Sequence, residues 1–276
     1  MKILILINIL NIILDYFFVY ILSMNIEGVA YASLISESAI FIFILYFVNK
    51  NTIFINKNIF LSSLRELSKI KDKLIVNGNM FIRSVILMTC FAHFMSLSAS
   101  SGEVVLAANT ILLNFFFIFS YGIDAFAHAT EVMIGNSVGQ RDIKKYDMII
   151  KSSFKYVFSI LFLFLSIFIV FSTDIIHMVT SHETVIYSAQ QNIIYLFLIV
   201  TFGSIAFCID GVLIGGLQHI KIRNIMIYSG AIYFSCLIII SPNEPYLIWY
   251  PFLIFFIARS ILLLISLSNI RSSLFR

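Results

Sequence analysis

An all-α integral membrane fold of about eight transmembrane helices is predicted by three observations: an extreme apolar composition, apolar runs of membrane-spanning length, and an alternating distribution of basic residues between them. Of the 276 residues, 61% are hydrophobic and only 12% charged, with 29 Phe. A soluble domain carries about twice that charge to keep its surface hydrated, so lipid is the solvent this composition suits. Runs of about 20 apolar residues cross roughly 30 Å of hydrocarbon as helices, and the short alternating segments of a barrel do not occur.

The runs place spans at 3–22, 28–48, 74–98, 107–138, 152–172, 184–217, 224–241 and 248–268. The first follows Lys2 and is read as a retained helix, because no small-residue cleavage site follows it. The fourth and sixth are long for a simple crossing. They contain Gly122 and Gly135, and Gly203, Gly211, Gly215 and Gly216, so a tilt, a bend or projection from the membrane is expected.

Charge tests this arrangement. Basic residues fall in one loop with Lys50, Lys57, Arg65, Lys69, Lys71 and Lys73, a second with Arg141, Lys144, Lys145 and Lys151, a third with Lys221 and Arg223, and the tail with Arg271 and Arg276. The intervening loops hold Glu27, Glu103, Asp174, Glu183 and Glu244 and no Lys or Arg. Strict alternation is the positive-inside pattern, satisfied by eight spans with both termini cytoplasmic. The net charge of +4 therefore reflects topology, and no nucleic-acid partner is expected. Segment 49–73 is a cytoplasmic linker whose Leu61, Leu64, Leu67 and Ile70 predict an amphipathic helix. It divides a two-helix piece, 1–48, from a six-helix unit, 74–276.

Ionisable groups at membrane depth cost about 2.5–3.5 kcal/mol each on insertion scales and so mark candidate sites. Asn11 and Asp15 lie four apart on one helix face, where a carboxylate beside a carboxamide could bind and release a proton or Na⁺. Asp15 could equally be a helix-end residue solvated at the headgroups. In the fourth span Asn114, Tyr121, Asp124, His128 and Glu131 form a stripe over about a third of the circumference, which either lines a cavity or joins helices. Arg83 is deep enough to need a partner, which Asp124 or Glu131 could provide. Asp210 precedes Gly211 and Gly215, where a helix could open or pack closely. Arg259 and Glu37 lie nearer helix ends and are expected to snorkel or pair between helices. Cys90, Cys208 and Cys236 sit in apolar runs without metal spacing, and no catalytic set is present, so no enzyme, metal or organic cofactor is expected.

At these residues the chain resembles the MATE multidrug and toxic-compound extrusion family, in its DinF-like branch. The resemblance is carried by Leu10–Asp15 with Glu27–Ser36, by Phe81-Ile82-Arg83-Ser84, by Leu106–Asn109 through Tyr121–Glu131 to Gly135 and Gly139, and by Asp210–Gly215 followed by Arg223-Asn224. It implies part of a two-lobe, twelve-helix architecture, with 1–48 as the last two N-lobe helices, 74–276 as the C-lobe, and the first four helices missing. The implied activity is export of cationic or amphipathic drugs or metabolites in exchange for H⁺ or Na⁺, in a bacterial inner membrane, by a monomer surrounded by lipid. Coupling would fall to Asp15, Asn11 and Ser36, where the family usually has Thr. The substrate cavity or C-lobe polar network would use Arg83, Asn109, Asn114, Tyr121, Asp124, His128, Glu131 and Asp210. Asn79 stands where the branch tends to carry Asp. With half a lobe absent, the chain is expected to be a piece of a longer exporter or an inactive remnant, and a lipid-precursor flippase of the same superfamily is the alternative.

Overall fold

The computed structural model describes residues 2–51, 67–240 and 245–274, and every principal element in them is a helix. The order is α1 (Lys2–Asp15), α2 (Ile26–Asn51), α3 (Leu67–Ser100), α4 (Glu103–Gly139), α5 (Ile143–Val179), α6 (Glu183–Gly215), α7 (His219–Ile240) and α8 (Trp249–Leu274). α1 continues through a π-helical stretch, Tyr16–Ile21, so the apolar element is longer than its α-helical part. Seven helices are long and apolar enough to cross a membrane, and Ile5–Ile21 is a shorter apolar helix. The eight expected spans therefore correspond one to one with helices.

Their lengths are where the expectations need correction. α5 begins nine residues before its predicted span and ends seven after it, because hydropathy registers only the lipid-solvated part of a helix. At 37 residues each, α4 and α5 are about 55 Å long, well beyond roughly 30 Å of hydrocarbon. The predicted linker helix falls largely on 52–66, outside the described residues, while Leu67 to Lys73 form the start of α3.

Of the tilt, bend or projection open to the two long spans, a break in helical angles is found in neither but in α5. Phe171, in α5, is the residue with non-helical angles (φ −116°, ψ 16°). α6 stays helical through Asp210 and Gly211 to Gly215, so it does not open there to expose carbonyls. Its glycines serve close packing instead. A Cβ at Gly211 would stand 2.5 Å from the Ala127 carbonyl oxygen, and one at Gly215 2.4 Å from that of Glu131. Two glycines four apart thus let α6 lie against the backbone of α4, in the manner of small-residue contacts in membranes.

The chain divides into two compact units, Met1–Ile70 and Lys71–Arg276. In the first, α1 and α2 form an antiparallel hairpin closed at Gly28, where a Cβ would meet Met24 Cβ at 3.0 Å and Phe18 Cβ at 3.2 Å. In the second, α3, α4 and α8 meet in an aromatic core. Phe94 stacks on Phe252 with centroids 4.5 Å apart, Phe91 meets Phe252 edge-on at 5.0 Å, and Phe116 meets Phe256 at 5.4 Å. Phe94, Trp249, Phe252, Phe255 and Phe256 are fully buried, whereas Phe162, Val170, Ile238 and Ile239 are exposed. That apolar outer surface is what a bilayer solvates.

Candidate functional site

Each unit carries its own cluster of membrane-depth polar groups. In the α1–α2 hairpin, Asn11 donates from Nδ2 to Ser33 Oγ at 3.4 Å and to Ser36 Oγ at 3.5 Å, and Ser36 donates to the Ser33 carbonyl at 3.0 Å. The first two bonds are long and hence weak. Ser36 is buried at 1% exposure. Asp15 is half-buried at the junction of α1 and its π-helical extension, and its Oδ1 is shut off from solvent with no hydrogen-bond donor among the described residues. It is therefore not a carboxylate fully solvated at a helix end. Asn11, four residues away on the same helix face, turns its amide to Ser33 and Ser36 and not to Asp15.

In the second unit the centre is Asp210, on α6 and 3% exposed. Arg83 of α3 donates to its Oδ2 at 2.8 Å, and Arg259 of α8 donates to the same oxygen in a short contact. Arg259 is 1% exposed and lies 5.7 Å over the Phe207 ring. The expectation that Arg83 pairs with Asp124 or Glu131 is thus corrected. Arg83 donates to Asp210 of α6, while Asp124 and Glu131 line the cavity beside it. Of the two readings of Arg259, pairing between helices holds and snorkelling does not, since its guanidinium is enclosed. One carboxylate shared by two guanidiniums leaves Asp210 Oδ1, Arg83 Nε and Arg259 Nη1 buried without hydrogen-bond partners among the described residues.

A cavity of about 230 Å³ opens beside this triad, lined by Arg83, Asp124, His128, Glu131, Phe207 and Asp210 among others. His128 Nδ1 lies 3.4 Å from Glu131 Oε2, with both side chains accessible. Two guanidiniums and three carboxylates make the surroundings of the cavity acidic by one formal charge when all are ionised.

The predicted stripe on α4 is only partly gathered here. Asp124, His128 and Glu131 line the cavity. Tyr121 does not; it is 70% exposed and stacks with Phe117 at 6.5 Å. Asn114 is exposed on the outer surface. Asn109 belongs to a separate network, wholly buried, donating to Ser98 Oγ at 2.8 Å and accepting from Trp249 Nε1 at 3.1 Å. Such a satisfied network joins α3, α4 and α8. Asn79 is buried and accepts from Arg223 Nη1 at 2.8 Å, while Arg223 also reaches Asn224 Oδ1. Arg259 was the part of the triad that spacing concealed. Its position near a helix end hid its burial, and only the flanking Phe255-Phe256 hinted at an enclosed setting.

The chain is 26% identical to DNA damage-inducible protein F of Escherichia coli over 264 residues, covering 92% of this chain and 55% of that protein. It is 28% identical over 138 residues to Protein DETOXIFICATION 44, chloroplastic, of Arabidopsis thaliana, covering 50% of this chain and 25% of the other. A MOP superfamily transporter from Pyrococcus furiosus has the same fold, with a TM-score of 0.82 at 20% identity, over 100% of this chain and 63% of that one. The chain thus spans about half the length of its bacterial relative and under two thirds of the solved transporter. The family model described as MatE matches residues 80–241, more than half of the sequence, and the chain belongs to the MatE family.

Proposed function

We propose that this chain is part of a secondary antiporter that exports cationic or amphipathic compounds from a bacterial cell, with Asp15 as the coupling group for H⁺ or Na⁺. The observation that carries this reading is the unequal state of Asp15 and Asp210 among the membrane-depth acids. Asp210 already has two guanidinium counter-ions on one oxygen, so a further cation at its other, donor-free oxygen would meet two positive charges. Asp15 has a buried oxygen with no donor among the described residues, one helical turn from Asn11, whose amide meets Ser33 and Ser36. A buried carboxylate oxygen without a donor is costly, and a proton or a cation ligated by neighbouring oxygens supplies what is missing. Loading and release there would bias alternating access. The acidic balance of the cavity beside Arg83 supports cationic cargo over the anionic pyrophosphate of a lipid-precursor flippase.

The test is uptake of a cationic dye such as ethidium into proteoliposomes containing the expressed protein, driven separately by a pH gradient and by a Na⁺ gradient. Asp15→Asn removes the charge and keeps the shape, and is expected to abolish gradient-driven uptake while the protein still inserts. Undiminished coupled uptake in that variant would remove Asp15 from the mechanism. Absence of uptake by the parent protein under both gradients would favour the inactive remnant.

A further inference from the structure

A second cavity lies on the other side of α4 from the acidic one, and its surroundings have the opposite charge. It is a groove of about 360 Å³ between α4 and α5, lined by Phe126, Met133, Met148, Ser152 and Tyr156 over a floor that includes Thr130 and Ser153. The floor is closed by its own hydrogen bonds, with the Thr130 and Ser153 hydroxyls 2.6 Å apart and Thr130 donating to the Phe126 carbonyl. The rim is open: Met133, Met148 and Tyr156 are 48%, 60% and 57% exposed. Phe126 and Tyr156 stack across one end with centroids 6.3 Å apart.

Position along α5 sets the depth of this groove. Residues 156–173 form an uncharged run of 18 between Lys155 and Asp174, about 27 Å of helix, which matches the hydrocarbon thickness. Lys155 therefore marks the boundary. The groove, reached by residues 148 to 156, spans about 12 Å at the headgroup level. Lys144, Met148, Lys151 and Lys155 recur at helical spacing on one stripe, which borders the groove through Met148. All three lysines are exposed, and none is ion-paired to a described residue. The nearby acid on α5, Asp147, is held by Arg271 at 2.6 Å. The α4 acids Asp124 and Glu131 face the other cavity.

We infer that the α4–α5 groove is a binding site for an anionic glycerophospholipid of the leaflet on the side of the basic loops, with its phosphate at Lys151 and Lys155 beside Met148 and its glycerol and proximal acyl carbons along Tyr156 and Phe126. An apolar channel beside unneutralised lysines at headgroup depth fits a molecule that is anionic at one end and apolar at the other. A cationic amphiphile meets repulsion at the same place. This inference rests on membrane insertion and not on the transport reading, so the two fail separately.

The experiment is native mass spectrometry of the protein released from membranes of equal dioleoyl-phosphatidylglycerol and dioleoyl-phosphatidylcholine. The parent protein is expected to retain the glycerol lipid in preference to the choline lipid. Lys151→Gln and Lys155→Gln should each reduce that preference about fivefold, whereas Lys→Arg at both positions preserves it and Lys221→Gln, on another loop, leaves it unchanged. Ser152→Trp, which fills the groove, should lower retention of both lipids. Equal retention of the two lipids by the parent, an unaltered preference in the double Gln variant, or an equal loss in Lys221→Gln would each overturn the assignment. If Ser152→Trp fails to elute as a monodisperse species, the surface Gln pair decides the question.

Discussion

Asp15 and Asp210 are the same residue type at comparable places in apolar helices, yet the structure treats them differently. Asp210 sits where three helices converge, and each of the two helices packed beside its own supplies an arginine to it. Asp15 sits in a two-helix hairpin whose nearby polar groups are an amide and two hydroxyls, none of which donates to its buried oxygen. The contrast separates two uses of a membrane acid. One neutralises two buried cations, whereas the other has no counter-ion among the described residues. An acid at membrane depth is therefore a weaker functional signal than an acid at membrane depth that lacks a partner.

The largest effect expected from breaking this contrast is at Asp210. Asp210→Ala leaves Arg259, 1% exposed, with no counter-ion, and the loss of one partner of a buried pair costs about 3–5 kcal/mol. The folded fraction of this variant in detergent should fall sharply, and thermal melting followed by size exclusion reads it. Asp15→Asn in the same assay should melt close to the parent, since it removes no ion pair. Equal destabilisation by the two would erase the distinction drawn between them.

A smaller effect is expected where glycine sets the distance between α4 and α6. Gly215→Ala drives a methyl group against the Glu131 carbonyl, which is backbone and cannot rotate away. Overpacking of this kind costs about 1–3 kcal/mol, and it should also disturb the position of Asp210 against Arg83. Gly203→Ala on the same helix is the control, because its Cβ would stand 3.6 Å from its nearest neighbours, all aromatic side-chain carbons. Melting temperatures that fall equally for both would mean that close approach at Gly215 does not hold the triad together.

How much of this was legible beforehand follows from the physics of each feature. Span number was readable because membrane insertion depends on local apolarity and on the side that receives Lys and Arg, both properties of short segments. The ends of α4 fall within four residues of the expected span, whereas those of α5 do not, since α5 is longer than the hydrocarbon thickness and hydropathy does not distinguish helix from loop in water. Asp124, His128 and Glu131 were correctly placed on one face, because helical spacing dictates it. Asn114 and Tyr121 were on the same stripe and still ended outside the cavity, because a helix face is shared among several neighbours along 37 residues. The partner of Arg83 was misjudged for a related reason. The contact joins residues 127 positions apart, and helical spacing within one segment carries no information about a pairing between distant helices.

The subtlest test adds an acid of intermediate status. Asn79 is 4% exposed and accepts one hydrogen bond from Arg223, whose other nitrogens are turned to the neighbouring Asn224. Arg223 thus has two carboxamide acceptors there and no carboxylate. Asn79→Asp converts a neutral acceptor into a charged one without changing its shape, and charge-assisted hydrogen bonds are roughly twice as strong as neutral ones. Burial of the new charge opposes part of that gain, so a net stabilisation of about 1 kcal/mol is expected, read as a modest rise in melting temperature. An acid held by one arginine should behave like Asp210, stabilising the fold and leaving gradient-driven transport unchanged. If Asn79→Asp instead alters the dependence of uptake on the driving ion, a single arginine does not close an acid to cations, and the boundary between structural and coupling acids lies between one guanidinium partner and two.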